Sequence, residues 1–188
     1  MSTELISRPK RADARRNYDA LIAAAREAFT EADRSASLED IARRAGVGIG
    51  TLYRHFPTRA ALIEVVYVEE VEALARSAED VDGLAPWDAL IQWLHGFVGY
   101  IATKQALADE LFAIAEQNND VFANCKAALN AAGEPLLKRA QDAGEVRQDA
   151  TIGDVIRMVG AIAKMPFAEP AEIERVLDMA LDGLRARA

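Results

Sequence analysis

The chain has 188 residues, enough to bury a core in one domain or two small ones without disulfide staples. Hydrophobic residues make up 51% and aromatic residues only 6%, with Ala, Leu, Glu, Asp and Arg prominent, which excludes a fibrous or disordered chain and points to an all-helical protein rather than a sandwich or barrel. The net charge of −8 speaks against a general nucleic-acid binder, yet residues 1–59 hold eleven Lys/Arg against eight Asp/Glu while the remainder hold eleven against twenty-two, a basic head on an acidic body.

In chain order, Met1–Arg16 is charged and lacks the apolar run of a secretory signal, which with a lone cysteine suits a reducing cytoplasm. Tyr18, Leu21, Ile22, Ala25 and Phe29 then recur at helical spacing between charged residues and predict an amphipathic first helix ending near Ala32–Arg34. Ser37-Leu38-Glu39-Asp40 forms a capping box that opens a short second helix with Ile41, Ala42 and Ala45 turned inward. Gly46-Val47-Gly48 breaks that helix, because Gly enters the left-handed region without steric cost. A third short helix is expected over Ile49–Phe56. Val47 and Leu52 plug the angle between the pair and leave the third helix exposed, a shape that fits the ~12 Å major groove of DNA.

Pro57 stops the third helix and Thr58 caps a long fourth one reaching about Ser77, with Ile63, Tyr67, Val71 and Leu74 on one stripe. An acidic loop over 79–83 precedes a helix opened by Pro86 and reaching about Thr103. Its apolar stretch Asp88–Lys104 is interrupted by Gln92 and His95 and is shorter than the ~20 residues of a bilayer span, so it reads as a buried core helix with His95 buried and satisfied. Further helices are expected over Ala106–Gln117, Val121–Ala143, Ile152–Ala163 and Pro170–Arg185. The last two are marked by the Thr151-Ile152-Gly153-Asp154 box and by Pro170 at a first helical position. Cys125 reads as a small buried apolar residue.

Large side chains collect in the C-terminal part: Trp87, Leu90, Trp93, Phe97, Tyr100, Phe112, Phe122, Met158 and Phe167. They serve a core, or a pocket for an apolar or aromatic small molecule, for which Trp93, Phe97, Tyr100, Phe112, Phe122 and Met158 are the candidates. Two apolar stripes stand near the end of the chain, Ile152, Val155, Ile156, Val159 and Ile162 on one helix and Ile173, Leu177, Leu181 and Leu184 on the next. They either close the monomer core or meet a second copy across a two-fold axis.

The residues Ser37–Ala42, Ala45-Gly46-Val47 and Gly50–Leu62, above all Leu52-Tyr53-Arg54-His55-Phe56, closely resemble the TetR family of bacterial transcription repressors over about residues 15–65. Ala143–Asp149 before a capped helix is similar to the turn that precedes the family's dimer-forming helices. The resemblance implies a helix-turn-helix DNA-binding domain over 1–60, a helical ligand-binding and dimerisation domain over 61–188, and about nine helices in all. It implies that Gly48, Ile49, Gly50 and Thr51 open a recognition helix against base edges, and that Tyr53, Arg54 and His55 reach phosphates and groove. Ser37 would offer a helix N-terminus to a phosphate. Arg59 would contact the DNA backbone from the start of the fourth helix, and Arg15 and Arg16, with Arg11, would form an arm. The family further implies a homodimer on a palindromic operator, released by a small-molecule effector, with no cofactor and no membrane.

Enzymatic chemistry lacks its residues: two His and one Cys show no zinc or triad spacing, and Gly48-Ile49-Gly50 has neither a preceding strand nor the third Gly of a dinucleotide loop. Asp109, Glu110 and Glu116 read as a solvated acidic face. The other class open to this chain is a helical small-molecule binding protein without DNA binding.

Overall fold

A computed structural model describes residues 8–30, 36–81, 83–117, 119–166 and 169–186. Among these residues the chain forms nine helices: α1 (Ala12–Thr30), α2 (Leu38–Arg44), α3 (Ile49–His55), α4 (Arg59–Ser77), α5 (Pro86–Ala106), α6 (Ala108–Gln117), α7 (Asn119–Asp142), α8 (Ile152–Ala163) and α9 (Pro170–Asp182). Extended pairing among the described residues is limited to an isolated bridge between Val146 and Arg185. The expected end of the first helix at Ala32–Arg34 lies outside the described residues, as does Phe167.

The helices fall into two compact units. The first takes the chain through Glu69 together with Ala106–Asn119; the second takes Glu70–Gln105 and Asp120–Ala188, so that α4 supplies residues to both. In the first unit α1, α2 and α3 pack on one another. Leu21, Ile41, Leu52, Phe56, Leu62 and Ile63 are entirely buried, each such side chain contributing roughly 1.5–3 kcal/mol. Leu21, Ile41, Leu52 and Ile63 lie where the sequence pattern turns them inward, and Leu62 joins them from α4.

The second unit is built around α5. Trp93 donates its indole N–H to the Leu74 carbonyl at 2.9 Å and stacks on Phe97 with ring centroids 6.4 Å apart. Gly133 of α7 is required by this packing: a Cβ there would lie 2.7 Å from the Trp93 ring and 2.8 Å from Ile152. At the far end of the unit the chain closes on itself. Arg147 N–H donates to the Leu184 carbonyl at 2.9 Å and Ala186 N–H to that of Glu145 at 3.0 Å, while the Arg185 guanidinium lies 4.1 Å above the Trp87 ring.

The boundaries depart from expectation where tertiary contacts decide them. Phe56 has extended backbone, φ −131° and ψ 90°, so α3 ends at His55. The helix opened by Pro86 continues to Ala106, and α9 stops at Asp182 because the following residues enter the bridge with Val146. His95 is exposed, contrary to the expectation of a buried imidazole. It shares a stripe with Asp88, Gln92 and Gly99 that α5 turns outward, so the helix is covered on one side only.

Candidate nucleic-acid interface

The interface begins at the entrance to α2. Ser37 has extended backbone, φ −74° and ψ 162°, and completes the capping box. Its Oγ accepts the Asp40 N–H at 3.1 Å and donates its proton to Asp40 Oδ2 at 2.9 Å, while Ser37 N–H reaches the same carboxylate at 3.3 Å. The hydroxyl of Ser37, followed by the Arg43 guanidinium, holds the Asp40 carboxyl below the usual carboxylate range. The Ser37 hydroxyl proton is therefore committed within the box, and the residue's part toward a phosphate is to present the helix end.

The turn follows from two glycines. Gly46 adopts φ +68°, a left-handed conformation that costs an L-residue about 1–2 kcal/mol. Val47 N–H then bonds to the Ala42 carbonyl at 3.0 Å, and Gly48 caps α3 through its own carbonyl, which accepts from Thr51 at 2.8 Å and Leu52 at 3.2 Å. The N–H groups of Ile49 and Gly50 precede the first intrahelical acceptor. Gly48, Ile49 and Gly50 are exposed, and a Cβ at Gly48 or Gly50 would meet nothing within 4 Å. At Gly48 and Gly50 the leading edge of α3 is bare backbone that another molecule can approach closely, with the Ile49 side chain exposed between them.

The side chains of α3 divide sharply. Leu52 is wholly buried, as is Phe56 just beyond, which makes both core. Tyr53 is 45% exposed, Arg54 is exposed and Thr51 is half-buried at the edge. His55 is half-buried, its ring edge-on to Tyr18 at 5.9 Å; burial, helped by the Arg54 charge, lowers its pKa from 6.5.

The basic residues around α3 have different fates. Arg11, Arg15 and Arg16 are exposed along the start of α1, and Arg15 bonds to the Pro9 carbonyl at 3.3 Å. Arg8, which the sequence offered no reason to single out, forms a paired contact with Asp19 at 3.0 and 2.7 Å and pins the preceding segment against α1. Arg59 makes three contacts within the first unit. Its guanidinium donates to the Ala36 carbonyl at 2.6 Å, faces Glu110 at 3.7 Å and lies 4.9 Å over the Phe29 ring. Of the expected acidic face on α6, Glu110 is thus an ion-pair partner, and the side chains of Asp109 and Glu116 lie outside the described residues.

The ligand-pocket candidates fall in both units. Trp93, Phe97 and Tyr100 are buried and stack in sequence, Phe97 to Tyr100 at 5.6 Å, as core of the second unit. Phe122 and Met158 are half-buried in that unit, with the Lys104 ammonium 5.9 Å from the Phe122 ring centroid. Phe112 is 68% exposed and belongs to the first unit. In the second unit a cleft of about 500 Å³ opens between the end of α4 and α7, lined by Ala75, Ala78, Ala131, Ala132, Pro135 and Leu136 with Arg76, Glu79 and Arg139. Small residues create this hollow, a signal that a search for large aromatic side chains passes over.

The two C-terminal stripes are mostly spent within one chain. Ile152, Val155, Val159, Leu177, Leu181 and Leu184 are buried, since α8 and α9 pack on each other. Ile156, Ile162 and Ile173 keep partial exposure, and Met165 and Met179 stand 54% and 71% exposed.

Comparison with known proteins meets this geometry at both ends of the chain. The family described as bacterial regulatory proteins, tetR family, matches residues 21–66, and the transcriptional regulator SbtR-like C-terminal domain matches residues 85–186. The HTH-type transcriptional regulator UidR of Escherichia coli strain K12 is 30% identical over 144 residues, covering 74% of this chain and 74% of that protein. The crystal structure of the TetR transcriptional regulator SCO0520 from Streptomyces coelicolor shares 40% identity at a TM-score of 0.80, covering 90% of this chain and 99% of that one. A TetR transcription regulatory protein from Mycobacterium vanbaalenii shares 32% identity at a TM-score of 0.76, covering 95% and 100%.

Proposed function

The chain belongs to the TetR family of DNA-binding transcriptional regulators, and from that premise we propose that it is a repressor that holds a palindromic operator as a homodimer and leaves it when a small-molecule effector binds the C-terminal unit. Its role is regulation and not catalysis. The observation that carries the reading is α3: Leu52 and the adjoining Phe56 are wholly buried, whereas the edge from Gly48 to Gly50 and the side chains of Tyr53 and Arg54 are open. An anchored helix with a bare leading edge suits insertion into a major groove. Gly48, Ile49, Gly50 and Thr51 face base edges in this reading, Tyr53, Arg54 and His55 the phosphates and groove, with Arg15 and Arg16 alongside.

One such helix reads few base pairs, so two are needed about one turn, ~34 Å, apart. The residues available for pairing two copies are those not already consumed in the monomer: Ile156, Ile162, Ile173, Met165 and Met179. The effector enters the second unit, and α4, continuous from Arg59 to Ser77, carries the change to the head. An effector that prefers the non-binding spacing by roughly 1–3 kcal/mol lowers operator affinity 5–150-fold.

Selection of bound duplexes from random DNA tests the reading: a two-fold symmetric consensus with half-sites one turn apart is expected. Failure to enrich any sequence, with binding that ignores salt, would refute it.

A further inference from the structure

Building on the DNA-binding reading, we propose that Arg59 is a positioning residue rather than a DNA contact, and that Glu110 of α6 is the partner that sets it. Arg59 is the first residue of α4. Its Nη1 donates to the Ala36 carbonyl at 2.6 Å, its Nη2 faces Glu110 Oε1 at 3.7 Å, and its guanidinium carbon lies 4.9 Å from the Phe29 ring centroid. One planar cation therefore joins the end of α1, the entrance to α2, the start of α4 and the first turn of α6, all within one unit.

The chemistry favours the strut. A guanidinium carries its donors in a rigid fork, so contacts to Ala36 and Glu110 from different nitrogens, with an aromatic face beneath, fix its plane. Turning the charge outward to a phosphate would give up all three contacts. Ala36 immediately precedes Ser37, whose cap starts α2, and α2 leads through the Gly46 turn into α3. The pull of Arg59 on the Ala36 carbonyl thus sets the direction in which the reading pair leaves α1, and the Glu110 carboxylate holds Arg59 in place. A displacement of α6 is felt at the DNA-reading helix without any contact between α6 and DNA.

The test compares full-length Arg59→Gln, Arg59→Lys, Glu110→Gln and the Arg59→Gln/Glu110→Gln double variant with the parent chain. Each is bound across a salt series to the duplex that the parent selects from random DNA, and amide exchange at Asp40 and Ile41 is measured without DNA. Glu110→Gln is expected to weaken binding about 2–5-fold, as an exposed ion pair allows, and Arg59→Gln about 10-fold, as loss of a charge-assisted hydrogen bond allows. The salt slope stays unchanged, Arg59→Lys does not rescue, the double variant binds no worse than Arg59→Gln, and exchange at the first turn of α2 accelerates in each. A salt slope shallower by about one phosphate in Arg59→Gln, with Glu110→Gln binding like the parent, would overturn the proposal in favour of direct contact. Should Arg59→Gln fail to fold, unchanged affinity and exchange in Glu110→Gln overturn it alone. If the parent itself selects no duplex, the DNA-binding reading fails, and exchange at Asp40 and Ile41 still decides the strut.

Discussion

His55 meets Tyr18 edge-on, ring centroids 5.9 Å apart, and so joins the recognition helix to α1 through a titratable group. Burial and the neighbouring Arg54 lower its pKa from 6.5. A base whose folded pKa lies below its unfolded one favours folding when neutral. The stability that His55 contributes is therefore complete above about pH 6.5 and is lost as pH falls from there through the lowered folded value. Denaturant unfolding of the parent and of His55→Gln between pH 5 and 7.5 is expected to show a shallower acid decline in the variant. Parallel curves would remove this coupling.

Gly46 in the turn and Gly50 in the first turn of α3 are expected to behave in opposite ways. Gly46→Ala forces an L-residue to φ +68° and lowers stability by about 1–2 kcal/mol. Gly50→Ala meets open space inside a helix and raises stability by about 0.5–1 kcal/mol. Its methyl group nevertheless stands on the edge assigned to DNA, so affinity falls while the melting temperature rises. Thermal melts paired with DNA titrations check both halves.

Tyr53→Ala separates function from folding. Tyr53 is 45% exposed, so its loss changes stability by no more than about 0.5 kcal/mol. DNA affinity is expected to fall at least about tenfold, equivalent to about 1.4 kcal/mol. Equal affinity in a folded variant would dismiss Tyr53 from the interface. Arg54→Ala, measured alongside, lowers the salt slope by about one if its charge meets a phosphate.

Gly133→Ala tests the second unit. Its Cβ would stand 2.7 Å from the Trp93 ring and 2.8 Å from Ile152, both buried, so overpacking is expected to cost about 1–3 kcal/mol. Denaturant unfolding of the variant checks it, and a neutral result would mean that α7 shifts freely away from Trp93.

What the sequence made legible was local. The caps at Ser37 and Thr151, the turn at Gly46 and the opening of α5 at Pro86 depend on residues within one helical turn, and each stands where the spacing puts it. Periodicity located the apolar faces of α8 and α9 but not what covers them. Val155 and Leu177 are buried within one chain, so the pairing proposed above is placed on stripe residues that keep exposure, such as Ile156 and Ile173. His95 departs from expectation for the same reason, and the contacts of Arg59 are ones that no periodicity reveals. The partners of Arg59 stand 23 and 51 positions away in sequence, at Ala36 and Glu110, and the outward stripe of α5 becomes visible only once one side of the helix is covered.

Both tryptophans of the chain, Trp87 and Trp93, lie in the second unit. The first unit is optically silent above the absorption edge of tyrosine. Emission excited at that edge therefore reports the second unit alone. With Trp93 buried and its N–H held by Leu74, and Trp87 beneath the Arg185 cation, it carries two environments of different polarity. The protein thus carries a fluorescent reporter inside the unit proposed to take the effector, and a change in its emission on adding operator DNA would read the coupling from the other side.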